Sequence, residues 1–407
     1  MLEGLLAGVF FYVVALIIAL WCYHLYSPLY QRICWVILLC WVGHYLGSYV
    51  YSLINSDSLV QFFNGASPIF IPNGGTTQLV KNVVWYVREY ITSDSYLATI
   101  NFFSAFAFIG SVLWYLLFLQ MAQALKISNQ KYIFPALVIM CWPSFLFFTS
   151  GLVKDSLCYF FTPLILLSWN QFFYERKNKR VMVVIILLSM VLMTMLRPYL
   201  LMIFIGAYLF SIFKMRMSLL RVLLLIGLIP VAFYVVSWVG SQGGVQSIDI
   251  TSVGERAARQ QELLNSGSSF PVLSKNPIIV LLTLPYSFIM NLIMPLFIFS
   301  NNTMGLLSSL ENSALVFLIY RFWKDRQVFK VIKKQANSVT LCFSFFLFGM
   351  ALLGLLNTNL GLAMRQKSMY VPAFFVVAML CWLYNKQKST ASICSAPLRI
   401  IEASYVR

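Results

Sequence analysis

Charged side chains are scarce in this chain, and a few of them recur in one setting. PSFLFFTSGLVKDSLCYFF, residues 143–161, puts Lys154 beside Asp155 within a long apolar stretch. MLRPYLL puts Arg197, and NTNLGLAMRQKSMYVP puts Arg365 and Lys367, each between two apolar runs. Carboxylates beside cations are what a polar active site needs, because one type accepts protons and the other holds negative charge. Single charges at helix ends also snorkel or cap, which is the reading given to Lys275 and Lys367. Asp155, Arg197 and Arg365 differ because they recur at the tips of three hairpins that face the same compartment.

The elements that must position these residues are membrane spans. Of the 407 residues, 60% are hydrophobic and only 10% charged, a composition foreign to a soluble domain of this length. Runs long enough to cross a hydrocarbon core of roughly 30 Å recur throughout. They fall near 4–24, 33–54, 97–120, 132–150, 155–173, 181–196, 199–213, 222–239, 306–322, 337–356 and 369–384, which predicts an all-α polytopic membrane protein with about eleven spans in one integral domain, 1–407. The opening MLEGLLAGVFFYVVALIIALWC has neither a basic leader nor a small-residue cleavage pattern, so it reads as the first span.

Short basic loops at 174–180, 214–221 and 321–334, with the short tail 385–407, are placed in the cytoplasm by the positive-inside rule. The predicted outer charges then cancel, and the net charge of +17 lies wholly on the inner side, facing anionic lipid. That excess is topological and implies no nucleic-acid partner. The apolar stretch 276–300 would reverse this parity if it crossed. Pro277, Pro285 and Pro295 break it, so it is expected to form a re-entrant or interfacial hairpin on the outer face.

Two long outer segments remain. The first, 55–98, carries Asp57 and an amphipathic stretch with Val80, Val83, Val84, Val87 and Ile91 on one side, expected to lie along the interface. The second is a loop from 240 that, with the re-entrant stretch, extends to 305. It is Gly- and Ser-rich at first and carries Arg256 and Arg259. Glu311 lies just inside the following span, where it could pair with Arg365 or another outer arginine. The eight cysteines lie in spans or the inner tail and imply no disulfide framework. His24 and His44 read as packed helix residues. No CxxC, HExxH, Walker loop or GxSxG is present, which removes zinc chemistry and nucleotide hydrolysis.

The order of Asp57 after the second span, an interfacial helix, the PS…SGLVKD hairpin and a membrane-edge RPY resembles bacterial polysaccharide-locus membrane proteins. These are the GT-C class of polyprenyl-linked glycosyltransferases and the Wzy-type polymerases of O-antigen, capsule and exopolysaccharide repeat units. The likeness covers most of the chain as a pattern of spans and loops. Arg256 followed by Gly267 matches the arginine-to-glycine spacing of the large outer loop in such polymerases.

The resemblance implies a GT-C-like, multi-pass glycosyltransferase of the bacterial inner membrane with its active face in the periplasm. Such an enzyme passes a glycan from a polyprenyl (undecaprenyl) pyrophosphate to a sugar hydroxyl of a second lipid-linked unit. Arg197, Arg256, Arg259 and Arg365, with Lys154 alongside, would then hold the pyrophosphate. Asp57 and Asp155 become candidates for the base, with Lys154 keeping Asp155 ionised and Glu311 supporting. Tyr51, Trp85 and Tyr199 could stack on sugars. A divalent metal at Asp57 fits some GT-C enzymes, although isolated acids give no ligand spacing. Implied partners are the lipid-linked oligosaccharide, membrane lipid, a flippase and a chain-length regulator. The outer histidine of O-antigen ligases has no counterpart, which favours a polymerase. The alternatives are a GT-C transferase using a polyprenyl-phosphate sugar, or a lipid-linked glycan flippase. Transporters usually show internal repeats and charges at mid-membrane, and neither is evident here.

Overall fold

The computed structural model describes residues 2–26, 30–54, 75–127, 132–151, 154–174, 179–213, 284–294, 303–356 and 360–394. Every described regular element is an α-helix. In chain order these are α1 (Leu2–Tyr26), α2 (Tyr30–Ile54), α3 (Gly75–Tyr90), α4 (Tyr96–Ala124), α5 (Ile133–Met140), α6 (Pro143–Phe148), α7 (Lys154–Tyr174) and α8 (Lys179–Leu196). They continue as α9 (Pro198–Phe213), α10 (Leu284–Ile293), α11 (Thr303–Lys324), α12 (Arg326–Gln335), α13 (Asn337–Leu356), α14 (Leu360–Lys367) and α15 (Val371–Cys394).

Four described stretches are long and apolar enough to cross a membrane: Ile33–Leu53, Tyr96–Ala124, Lys179–Leu196 and Asn337–Gly354. Helix α4 is apolar around its whole circumference and buried along nearly all its length, so it forms the centre of the bundle. It packs against α1, α2 and α7, and the first half of α15 is buried beside it. The outward faces of the outer helices are apolar as well. Leu6, Phe10, Ile17 and Trp21 on α1, and Val184, Leu187, Leu188 and Val191 on α8, form exposed stripes that suit lipid rather than water.

Polar contacts between helices fix their directions. Tyr12 bonds to Ser104, and Gly8 lies against Asn101, so α1 runs parallel to α4. Ser48 donates to Asn101 (2.6 Å) and His44 Nε2 lies 3.0 Å from Ser111 Oγ, so α2 runs antiparallel. Ser111 contacts Tyr159 (3.3 Å) and Asn170 donates to Gln120 (2.9 Å), which makes α7 parallel to α4. At the end where α4 and α7 finish, Ser338 reaches Asn170, Asn385 donates to Asp325 (2.6 Å) and Gln387 donates to the Lys126 carbonyl (3.2 Å). The described basic segments gather at this end, with Lys324 over Tyr320, Arg326 over Trp323 and Lys386 over Trp382. Asp155, Arg197 and Arg365 meet at the opposite end.

Several expectations need correction. The stretch 132–150 is two short helices, not one span. Pro143 cannot continue the helix before it and starts α6 at its first position, leaving Cys141 and Trp142 outside both. The basic segment 321–334 is helical rather than a loop: α11 runs to Lys324, and α12 follows with Ile332 buried and Arg326, Lys330 and Lys334 exposed. Within 276–300, the described helix α10 has 10 residues, too few to cross a membrane. The expected span 222–239, the loop from 240, Asp57, Arg256 and Arg259 lie outside the described residues.

Close approach of α4 to α7 depends on Gly110, where a Cβ would sit 2.9 Å from the Tyr159 carbonyl oxygen and 3.0 Å from Phe160 Cα. Backbone atoms cannot move aside, so Gly110→Val should destabilise the protein by about 1–3 kcal/mol. At Gly206 the nearest atom, Phe348 Cδ1, is 3.5 Å away, and Gly206→Ala should be tolerated. Thermal unfolding of both variants in detergent checks the contrast, and equal midpoints would contradict this packing.

Candidate active site

Three separate stretches bring their charges together. Asp155 occupies the first turn of α7, where a carboxylate is favoured by the helix dipole. Arg197 stands at the joint between α8 and α9. Pro198 restricts its backbone and opens the next helix, so the chain turns here and the guanidinium faces inward. Arg365 lies on the eight-residue α14, and Ser368 Oγ donates to its carbonyl (2.7 Å).

Asp155 is completely buried. One of its oxygens accepts from Arg197 Nη2 and the other from Arg365 Nε. Arg197 Nη1 also donates to the Tyr199 hydroxyl, and Tyr370 lies beside Tyr199. Lys154 is half-buried next to the cluster, within electrostatic reach of both arginines. Among the described residues the group sets three cations against one carboxylate. Arg197 Nε is buried and has no hydrogen-bond partner among the described residues. A buried, unmatched donor in a site with excess positive charge is poised for an anion.

The hairpin tip carrying Lys154 and Asp155 is held by α2. Ser150 Oγ lies 3.0 Å from His44 Nδ1. Gly151 sits against the Tyr51 ring, where a Cβ would come within 2.5 Å. Ser156 Oγ donates to the carbonyls of Thr149 (2.6 Å) and Gly151, closing the turn on itself. His44 is thus a buried hydrogen-bonded residue between two serines, as expected for a packed helix histidine.

The sequence-derived candidates fare differently. Asp155, Arg197 and Arg365 converge, with Lys154 alongside. Asp155 is sealed inside the protein, and Arg197 and Arg365 provide its ion pairs, with Lys154 beside them. Completely buried, and with each oxygen accepting from a guanidinium, this carboxylate is better placed to orient the two arginines than to take a proton from a substrate. Among the described residues no group of His, Cys, Asp and Glu could hold a metal ion, so the metal expectation rests on Asp57. Glu311 does not pair with Arg365. It accepts from the Ser144 backbone N–H (3.0 Å) at the start of α6. Tyr51 and Tyr199 are spent on Gly151 and Arg197 rather than held open for a sugar, and Trp85 packs on Tyr86 and Tyr90. Lys367 is buried and does not snorkel. Its partner Asn312 carried no signal in the sequence, because their contact joins residues 55 apart.

Breaking a buried ion pair from one side leaves an uncompensated charge and costs about 3–5 kcal/mol. Asp155→Asn should therefore destabilise the protein by that order, and adding Arg197→Gln should cost less than the sum of the single changes. Denaturation in mild detergent measures both. Strict additivity would mean that the two side chains do not share one site. Comparison of the chain with protein-family models, curated proteins and solved structures finds no match, so its functional reading rests on the chemistry of this cluster.

Proposed function

We propose that this protein is a membrane glycosyltransferase of the Wzy type that polymerises lipid-linked oligosaccharide repeat units, and that the Arg197–Asp155–Arg365 cluster receives the pyrophosphate of the donor. The observation that carries this reading is Arg197 Nε, buried and unmatched among the described residues, beside a sealed carboxylate that joins two guanidiniums. A lipid pyrophosphate supplies acceptor oxygens for that donor. Guanidinium forks bind these oxygens with direction as well as charge.

The topology that accompanies this proposal has about eleven spans. The basic end of the bundle faces the cytoplasm under the positive-inside rule, and the cluster then faces the periplasm of a bacterial inner membrane. Helix α3, with Val80, Val84 and Val87 buried and Glu89 and Tyr90 exposed, suits a position along the outer interface.

In the reaction, the acceptor sugar hydroxyl attacks the anomeric carbon of the donor glycan. The bond from that carbon to the pyrophosphate oxygen breaks, and its electron pair leaves with the pyrophosphate. Arg197 and Arg365, with Lys154, stabilise the charge that develops on the departing group. Arg256 and Arg259 would add to them from the outer loop. Asp155 acts by orienting both guanidiniums, since its own oxygens are committed to them. The proton of the acceptor then needs another base, and Asp57 is the remaining candidate.

The test is polymerisation of purified polyprenyl-pyrophosphate-linked repeat units in liposomes, scored as a glycan ladder. Arg197→Ala and Arg365→Ala each remove charge-assisted hydrogen bonds worth roughly 1.5–3 kcal/mol, so donor use should fall more than about tenfold. Arg365→Lys keeps the charge without the fork and should recover only part of the loss. Normal ladders from the arginine variants, or flipping of the same lipid-linked glycan without polymerisation, would overturn the assignment.

A further inference from the structure

Two residues beyond Arg365, Lys367 points a different way. Successive helical residues turn by about 100°, so positions two apart leave the helix on nearly opposite sides. Arg365 reaches Asp155 on α7, whereas Lys367 reaches α10 and α11. Its Nζ donates to Asn312 Oδ1 (2.6 Å) and to the carbonyls of Leu292 and Met294 (3.4 Å each). Those carbonyls end α10, where a helix has unpaired acceptors and favours a cation. Asn312 in turn donates to Met364 Sδ on α14 (3.7 Å). The ammonium has three N–H groups and faces three acceptors.

Helix α14 has only 8 residues, too few to hold its place by local hydrogen bonding. Its position must come from tertiary contacts, and its two ionic ones are Arg365 on one side and Lys367 on the other. We propose that Lys367 is a positioning residue for the anion site: by tying α14 to the end of α10 and to α11, it fixes where the Arg365 guanidinium stands beside Asp155. This inference rests on the reading of that cluster as a pyrophosphate site.

Protonation supplies a handle on the tie. Burial pushes the Lys367 ammonium down to about 7, against the opposing pull of the Glu311 carboxylate. Glu311 on α11 is the charged group that faces it. Helices α6 and α13 carry no charged side chain, and the one titratable side chain of α10, Tyr286, is partly exposed at the other end of that helix. The folded value lies below the ordinary 10.5, so the site favours the neutral amine relative to water: the burial penalty is fully present below pH 7 and relaxes as the pH rises between the two values. A neutral amine keeps two N–H groups for the three acceptors, so the tie survives deprotonation, and raising the pH through about 7 should hold α14 more firmly.

The experiment uses the full chain in lipid nanodiscs, with inorganic pyrophosphate as the probe and calorimetry at one fixed pH, because pyrophosphate itself gains charge as the pH rises. Lys367→Met, which keeps the length and drops the ion, should fold and should bind about tenfold more weakly than wild type, a coupling of ordinary size. Lys367→Gln, which keeps N–H donors for the same acceptors, should recover part of that loss. In an Arg365→Ala background, adding Lys367→Met should change affinity by less than about twofold, since the effect runs through Arg365. A Lys367→Met affinity that matches wild type, or an undiminished effect in the Arg365→Ala background, would overturn the proposal. If wild type binds no pyrophosphate, the cluster reading fails and amide exchange of residues 360–367 decides the role of Lys367 separately. Exchange at pH 6 about tenfold faster in Lys367→Met supports the tie. Equal rates refute it.

Discussion

The Asp155 carboxylate, sealed from solvent between Arg197 and Arg365, is the interaction around which this end of the molecule is arranged. Taking each ion out of water costs several kcal/mol, and packed apolar side chains of similar volume are often as stable. Stability is thus a poor reason for such a cluster. Positioning is a better one. Each participant is fixed by something else: the hairpin tip by His44 and Tyr51, Arg197 by the Pro198 break and the Tyr199 hydroxyl, and Arg365 by a short helix fastened on its far side through Lys367. The carboxylate joins three hairpins that are far apart in sequence.

Charge divides the bundle between its ends. Lysines and arginines over aromatic rings crowd the end where α4 and α7 finish, as cations do beside lipid headgroups. At the other end, among the described residues, Arg197 and Arg365 are aimed at each other through Asp155, Lys154 stands half-buried beside them, and Arg88 pairs with Asp94. The unmatched Arg197 Nε in this setting is why a multivalent anion from outside the chain is proposed as its ligand.

Much of this architecture was legible in the sequence, for physical reasons. Apolar runs dictate helices, and charges isolated between runs must gather where they can satisfy one another, so the convergence of Asp155, Arg197 and Arg365 followed from their shared side of the bundle. Depth did not follow. Asp155 near a helix end reads as a surface residue, and only the arrival of two arginines from distant stretches makes full burial possible. Pairing was equally hidden: Glu311 has a nearby arginine as its obvious partner, yet it serves the backbone of α6, and Lys367 finds Asn312 and two carbonyls. The helix at 326–335 could have been read from Val328, Phe329 and Ile332 spaced along one side, but its density of lysines resembles a solvated loop. The break at Cys141 was announced by Pro143, although the apolar run continues unchanged across it.

An experimental structure of the protein bound to polyprenyl pyrophosphate tests the central claim most directly. The account predicts pyrophosphate oxygens about 3 Å from Arg197 Nε and from the Arg365 guanidinium, with Asp155 still joining the two arginines. Pyrophosphate bound elsewhere, with the Arg197–Asp155–Arg365 cluster closed and untouched, would contradict it.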